Sequence, residues 1–111
     1  MRRLILAALL IALVSPTRAG GLDGVTLTLG KFSIDENAFV RQTLSAKNGT
    51  AAPIEWLNFE CGFLRGNQLI ATSSHYLKNL QPGQTGYQTV TVRITQGDLP
   101  DHADCRIESS G

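Results

Sequence analysis

Positive charge is too scarce and too scattered in this chain to hold a polyanion. The sequence carries 10 Lys and Arg against 9 Asp and Glu, and no run gathers the basic face that neutralising phosphates requires. Nucleic acid is therefore excluded as a partner. Cysteine is nearly absent. Cys61 and Cys105 are the whole complement, and without a C-x-x-C motif they do not make a thiol oxidoreductase. With only His75 and His102, a histidine-rich transition-metal site has too few ligands. No G-x-S-x-G nucleophile elbow occurs. Ser73, Ser74 and His75 are consecutive, but neighbours on a strand point to opposite faces, so Ser74 and His75 cannot form a simple nucleophile–base pair. No stretch after the amino terminus repeats apolar residues at three- and four-residue spacing, so amphipathic helices are not expected. The chain has no legible catalytic apparatus and implies no cofactor; a non-enzymatic role is the expectation.

What is present begins at the amino terminus. Met1-Arg2-Arg3 is a short basic start, and Leu4 to Val14 is an unbroken run of Leu, Ile, Ala and Val. Ser15-Pro16 breaks that run, and Thr17-Arg18-Ala19 supplies small residues at the positions a signal peptidase reads. This order predicts a signal peptide over residues 1–19, a secreted or periplasmic destination, and a mature chain starting at Gly20. The apolar run is too short to span about 30 Å of hydrocarbon as a helix, so no membrane span is expected after its removal. Cleavage takes three of the basic residues (Arg2, Arg3, Arg18) and none of the acidic ones, leaving a mature balance of −2. Export also bears on the cysteines. An even count in an oxidising compartment predicts one Cys61–Cys105 disulfide.

Residues 20–24 read as a flexible lead-in, followed by one domain over 25–111. Val25, Leu27 and Leu29 alternate with Thr26 and Thr28, the period of a half-buried strand. The phase then slips towards Phe32 and Ile34, with Gly30 at the slip, which predicts a bulge that lets the first strand change sheet partners. Phe39 to Lys47 forms a second strand with Val40, Leu44 and Ala46 on one face. Asn48-Gly49 is expected to end it through left-handed backbone angles. In the third strand, Ile54 to Leu64, the residues Leu57, Phe59, Cys61 and Phe63 make the densest apolar stripe of the chain. Its opposite face carries Trp56, Asn58, Glu60 and Gly62. Arg65-Gly66-Asn67 turns into a fourth strand from Gln68 to Leu77, and Gln81-Pro82-Gly83 has Pro and Gly in type II order. Gly86 to Thr95 places Val90, Val92 and Ile94 inward, and a last strand, Asp104 to Glu108, places Cys105 and Ile107 inward. Six or seven short strands between turn signals predict an all-β fold, a small antiparallel sandwich with one disulfide.

The run LNFECGFLRGNQLIATSSHYLKNLQPGQTGYQTVTV, with its Gly turn, its Leu-x-Pro-Gly turn and its long following strand, resembles the FxLyD-type immunoglobulin-like module. Together with the paired FECGF and DCRI segments it is similar to small exported bacterial proteins of unassigned function. The resemblance covers roughly Val40 to Ile107. The family's aromatic-x-Leu-Tyr-Asp core motif is not reproduced: this chain has Phe59-Glu60-Cys61-Gly62-Phe63. The resemblance implies an immunoglobulin-like sandwich and brings no catalytic residues with it.

Three further constellations carry chemistry. Asp98, Asp101, His102 and Asp104 gather carboxylates and an imidazole in one loop, a weak candidate for a hard cation, although Pro100 among Asp residues is also ordinary turn chemistry. Asn48-Gly49-Thr50 fits a glycosylation sequon, which a turn role explains equally well. Trp56 shares its face with Asn58 and Glu60, so it is either a binding aromatic or a Trp covering a sheet edge. The expected function is an exported interaction module, contacting another exported or envelope protein through a sheet face or edge. The alternative is a small-ligand or metal-ion binder using the Trp56 face or the Asp98–Asp104 loop. Oligomeric state is not legible.

Overall fold

A computed structural model describes residues 23–111; the signal segment 1–19 and the start of the lead-in lie outside the described residues. Alternating polar and apolar residues produce strands throughout: β1 (Val25–Ile34), β2 (Phe39–Asn48), β3 (Ile54–Arg65), β4 (Gln68–Leu80), β5 (Thr85–Arg93) and β6 (His102–Ser110). Every pairing is antiparallel. The strands form two three-stranded sheets of order β1-β2-β5 and β4-β3-β6. That order matches the A-B-E sheet of an immunoglobulin-like sandwich facing its C′-C-F strands. No helix among the described residues is long and apolar enough to cross a membrane.

The core lies between the sheets. Leu57, Phe59, Cys61 and Phe63 are fully buried from β3, and Leu27, Val40, Leu44, Ala46 and Val90 meet them from the other sheet. Truncating either Phe would cost about 3–5 kcal/mol, since the space it leaves cannot fully collapse. Cys61 and Cys105 form the expected disulfide. They are direct register partners, so the bond ties neighbouring strands of one sheet rather than bridging the two sheets.

Several expectations need correction. The bulge between Leu29 and Phe32 is present, but both halves of β1 pair with β2, so the strand does not change sheets. Side chains of β2 absorb the irregularity. Buried Gln42, 2% exposed, donates from Nε2 to Gly30 O at 3.2 Å and to Thr43 O at 2.8 Å, while Thr43 Oγ1 accepts from Lys31 N at 2.7 Å. Ile34, on the inward phase, is 37% exposed because it lies at the open end of the sandwich. β4 runs three residues further than its apolar pattern suggested: Lys78 and Leu80 pair with Trp56 and Ile54, and Leu80 is a core residue. β6 likewise extends to His102 and Ser110, drawn out by its pairing with β3.

The end of β2 is built differently from expectation. Neither Asn48 nor Gly49 has a left-handed backbone. Asn48 is instead fully buried, and all its polar groups are used. Its backbone N donates to Gln84 O and its O accepts from Gly83 N. Its Nδ2 donates to Ala52 O and Leu80 O, both at 2.9 Å. Its Oδ1 accepts from Thr50 N at 2.9 Å and Thr50 Oγ1 at 2.6 Å. With both amide hydrogens engaged, the sequon is a structural knot and offers no glycan acceptor in the folded chain. The Gln81-Pro82-Gly83 turn does follow expectation: Gln84 N donates to Gln81 O at 2.9 Å, and Gly83 takes the φ of +80° that a type II turn demands at this position.

Candidate binding face

β3 is the central strand of its sheet, so its outward residues have neighbours on both sides. Trp56, Asn58 and Glu60 all project from this outer face, as the alternation with Leu57 and Phe59 requires. On the β4 side Trp56 pairs with Lys78, Asn58 with Tyr76 and Glu60 with Ser74. On the β6 side Asn58 pairs with Ser109 and Glu60 with Arg106. The register thus brings Tyr76 and Lys78 beside the three residues expected from the sequence.

Two aromatic rings dominate this face. Trp56 is 39% exposed and Tyr76 is 54% exposed. They sit diagonally on neighbouring strands, where Cβ atoms are roughly 7–8 Å apart. With Asn58 and Lys78 they line a shallow cleft of about 260 Å³. A second cleft of about 230 Å³ adjoins it at Tyr76, lined by Asn58, Ser74 and Glu108 from the outer face, with Phe59 and His75 behind them. The two clefts share Asn58 and Tyr76 and form one open strip.

The strip's charges are arranged locally. Lys78 Nζ lies 5.6 Å from the Tyr76 ring centroid, a cation–π distance. Arg106 donates from Nε to Glu108 Oε2 at 3.0 Å and from Nη2 to Glu60 Oε1 at 3.4 Å. Glu108 foremost, then Glu60, hold the Arg106 proton more firmly than usual. Asn58 Nδ2 donates to Ser109 Oγ at 3.2 Å. One cation therefore serves two carboxylates, and Lys78 is left over the tyrosine.

The backbone of Trp56 is paired with Gly111, whose N donates to Trp56 O at 2.9 Å and whose O accepts from Trp56 N at 3.3 Å. A Cβ at position 111 would overlap the indole, so only glycine allows this approach without moving the ring.

The Asp98–Asp104 residues do not converge. Asp101 and His102 meet, with Asp101 Oδ1 2.6 Å from His102 Nδ1, and Asp101 Oδ2 accepts from Gly66 N at 3.2 Å. Asp101 N donates to Leu64 O at 2.7 Å. Asp101 therefore fastens the loop to the β3–β4 hairpin. His102, then the Gly66 N–H, hold its carboxyl below the usual range. Asp104 faces Gly62 across the sheet, and Asp98 stands exposed in the loop. Among the described residues no group of three or more His, Cys, Asp or Glu is placed to hold a metal ion. Ser74 pairs with Glu60, while His75 pairs with Phe59 and stacks on its ring at 6.5 Å.

A larger cleft of about 470 Å³ opens on the outer face of the other sheet, among Thr28, Thr43, Ser45, Tyr87 and Thr89. Hydroxyls line it with a single aromatic. The Trp56 face joins two aromatics, an amide and a cation, and is the stronger candidate.

Comparison with protein-family models, with curated proteins and with solved structures finds no match for this chain.

Proposed function

We propose that this chain is an exported, non-enzymatic binding module, working in the periplasm or outside the cell, that engages its partner through the outer face of β4-β3-β6. The observation that carries the reading is the pairing of Trp56 and Tyr76, both exposed, around one cleft on adjacent strands. Aromatic rings held on a rigid sheet offer large contact area at little conformational cost, and such residues concentrate binding energy. The basic, apolar and small-residue order of residues 1–19 supports export, and the disulfide is compatible with an oxidising compartment. The immunoglobulin-like strand order suits a scaffold that presents a face.

The test uses Trp56→Ala and Tyr76→Ala in separate chains, with affinity capture from the host's envelope fraction and thermal unfolding read in parallel. Each variant is expected to lose the captured partner while its melting temperature falls by only a few degrees, because both rings are largely outside the core. A drop of tens of degrees for Trp56→Ala, or unchanged capture by both variants, overturns the assignment.

A further inference from the structure

We infer that the Trp56–Tyr76 strip binds an uncharged polysaccharide chain, a ligand class that rests on the proposed binding role of this face. The first ground is shape. The strip is an open, shallow cleft running on from Trp56 past Tyr76, whereas small molecules are held in enclosed, mostly apolar pockets. An open strip suits a polymer that enters and leaves at its ends. The second ground is chemistry. Sugar rings present apolar C–H faces that stack on aromatic rings, and equatorial hydroxyls that need donors and acceptors beside the stack. Trp56 and Tyr76 supply the rings; Asn58, Ser74 and Glu108 supply the polar groups along the same line.

The third ground is charge, and it separates the polysaccharide from other occupants. Arg106 is bound to both Glu60 and Glu108, which leaves one carboxylate charge in excess, and Lys78 on the neighbouring strand offsets it. Lys78 is the remaining cation of the cleft, and it lies over Tyr76. A single ammonium does not hold a polyanion, whose binding draws on many phosphate or carboxylate contacts. A protein partner also fits less well. The centre of a protein interface is enriched in Trp and Tyr but depleted of Lys and Glu, and here Lys78 and Glu60 stand beside the two rings on β4 and β3. A self-neutralised polar field around two aromatics matches a neutral, hydroxyl-rich chain.

Trp56 is the only tryptophan of the protein, so its emission reports on this strip alone. The purified mature chain is titrated with cellohexaose and, separately, with chitohexaose, and retention on insoluble cellulose and chitin is measured alongside. A saturable change in Trp56 emission with at least one hexaose is expected, together with retention on the matching solid. Tyr76→Ala, which leaves the indole in place, should weaken that response tenfold or more. Tyr87→Ala, on the opposite sheet, should leave it unchanged. The arm that responds identifies the glucan or the N-acetylated glycan as the better ligand. Silence of both hexaoses in the folded protein overturns the inference, as does a response only to hyaluronan or polygalacturonate. Trp56-dependent capture of an envelope protein with silent hexaoses would keep the binding role and discard the polysaccharide. Loss of both would discard the two together.

Discussion

The side-chain amide of Asn48 donates to the carbonyl of Leu80 across 32 residues of sequence, at 2.9 Å, and so ties the end of β2 in one sheet to the end of β4 in the other. The same amide holds Ala52 O, and its oxygen holds Thr50. Removing it leaves the buried Leu80 O unpaired and breaks the part-buried bonds to Ala52 and Thr50. Asn48→Ala should destabilise the fold by about 2–3 kcal/mol, the cost of leaving buried partners unsatisfied. Asn48→Asp should be at least as damaging, because a carboxylate would face two carbonyl oxygens in place of an amide donor. Urea unfolding monitored by circular dichroism gives both values. A midpoint within error of the parent for Asn48→Ala would show that the knot contributes nothing.

Acid sensitivity has a definite source in the β1–β2 turn. Asp35 Oδ1 accepts from Phe39 N at 3.1 Å and Asn37 N at 2.8 Å, and Oδ2 accepts from Arg41 Nη1 at 3.0 Å. The Phe39 N–H first, then the Arg41 guanidinium, hold the carboxyl below the ordinary value of 3.8. A carboxyl whose pKa is lower in the folded state than in the unfolded chain stabilises the fold above the unfolded value. That contribution disappears as pH falls through the folded pKa. Asp101 behaves in the same direction through His102 and Gly66. Stability should therefore hold steady between about pH 5 and 7 and decline below about pH 4. Asp35→Asn should flatten part of that decline while lowering the neutral-pH plateau slightly. Melting temperatures across pH 2.5–7 for parent and variant, at constant ionic strength, decide it. Parallel acid limbs in the two proteins would remove Asp35 from the account.

Much of the sandwich was legible because its information is local. The stripe Leu57, Phe59, Cys61, Phe63 announces an inward face by period alone, and the phase slip at Gly30 announces a bulge. What the bulge leads to was not legible, because the groups that satisfy it, Gln42 and Thr43, belong to another strand. Asn48 looked like a turn residue; its partners Leu80 and Gln84 lie more than thirty residues away and become neighbours only in the fold. The candidate site divides in the same way. Trp56, Asn58 and Glu60 share a face by simple alternation. Tyr76 and Lys78 gave no comparable signal, since both faces of β4 carry small polar residues and only the register with β3 selects one. Gly111 against Trp56 follows from the close pairing of β3 with the chain's last residue, which no sequence pattern encodes.

The disulfide offers the sharpest test of how this fold is held. Cys61 and Cys105 are 44 residues apart in sequence and directly opposed on β3 and β6. Hydrogen bonds of the ladder already fix these strands side by side in the folded state, so the bond adds little new contact there. Its effect falls on the unfolded chain, where a closed loop of this length loses conformational freedom equivalent to about 4 kcal/mol on the chain-entropy model. For a domain this small, that is a large share of the total. Both cysteines are buried in the same core cluster as Phe59, Phe63 and Ala103, so replacement by Ala adds a small packing loss, whereas Ser would add an unsatisfied hydroxyl as well. Cys61→Ala/Cys105→Ala should therefore unfold at markedly lower urea, with a loss of roughly 4–5 kcal/mol. The parent treated with reductant should fall nearly as far, since it loses the loop closure and keeps the sulfur volume. Comparing the three unfolding curves separates the two contributions. If the reduced parent matches the oxidised one while the double variant is weakened, the cysteines act by packing and the loop-closure argument fails.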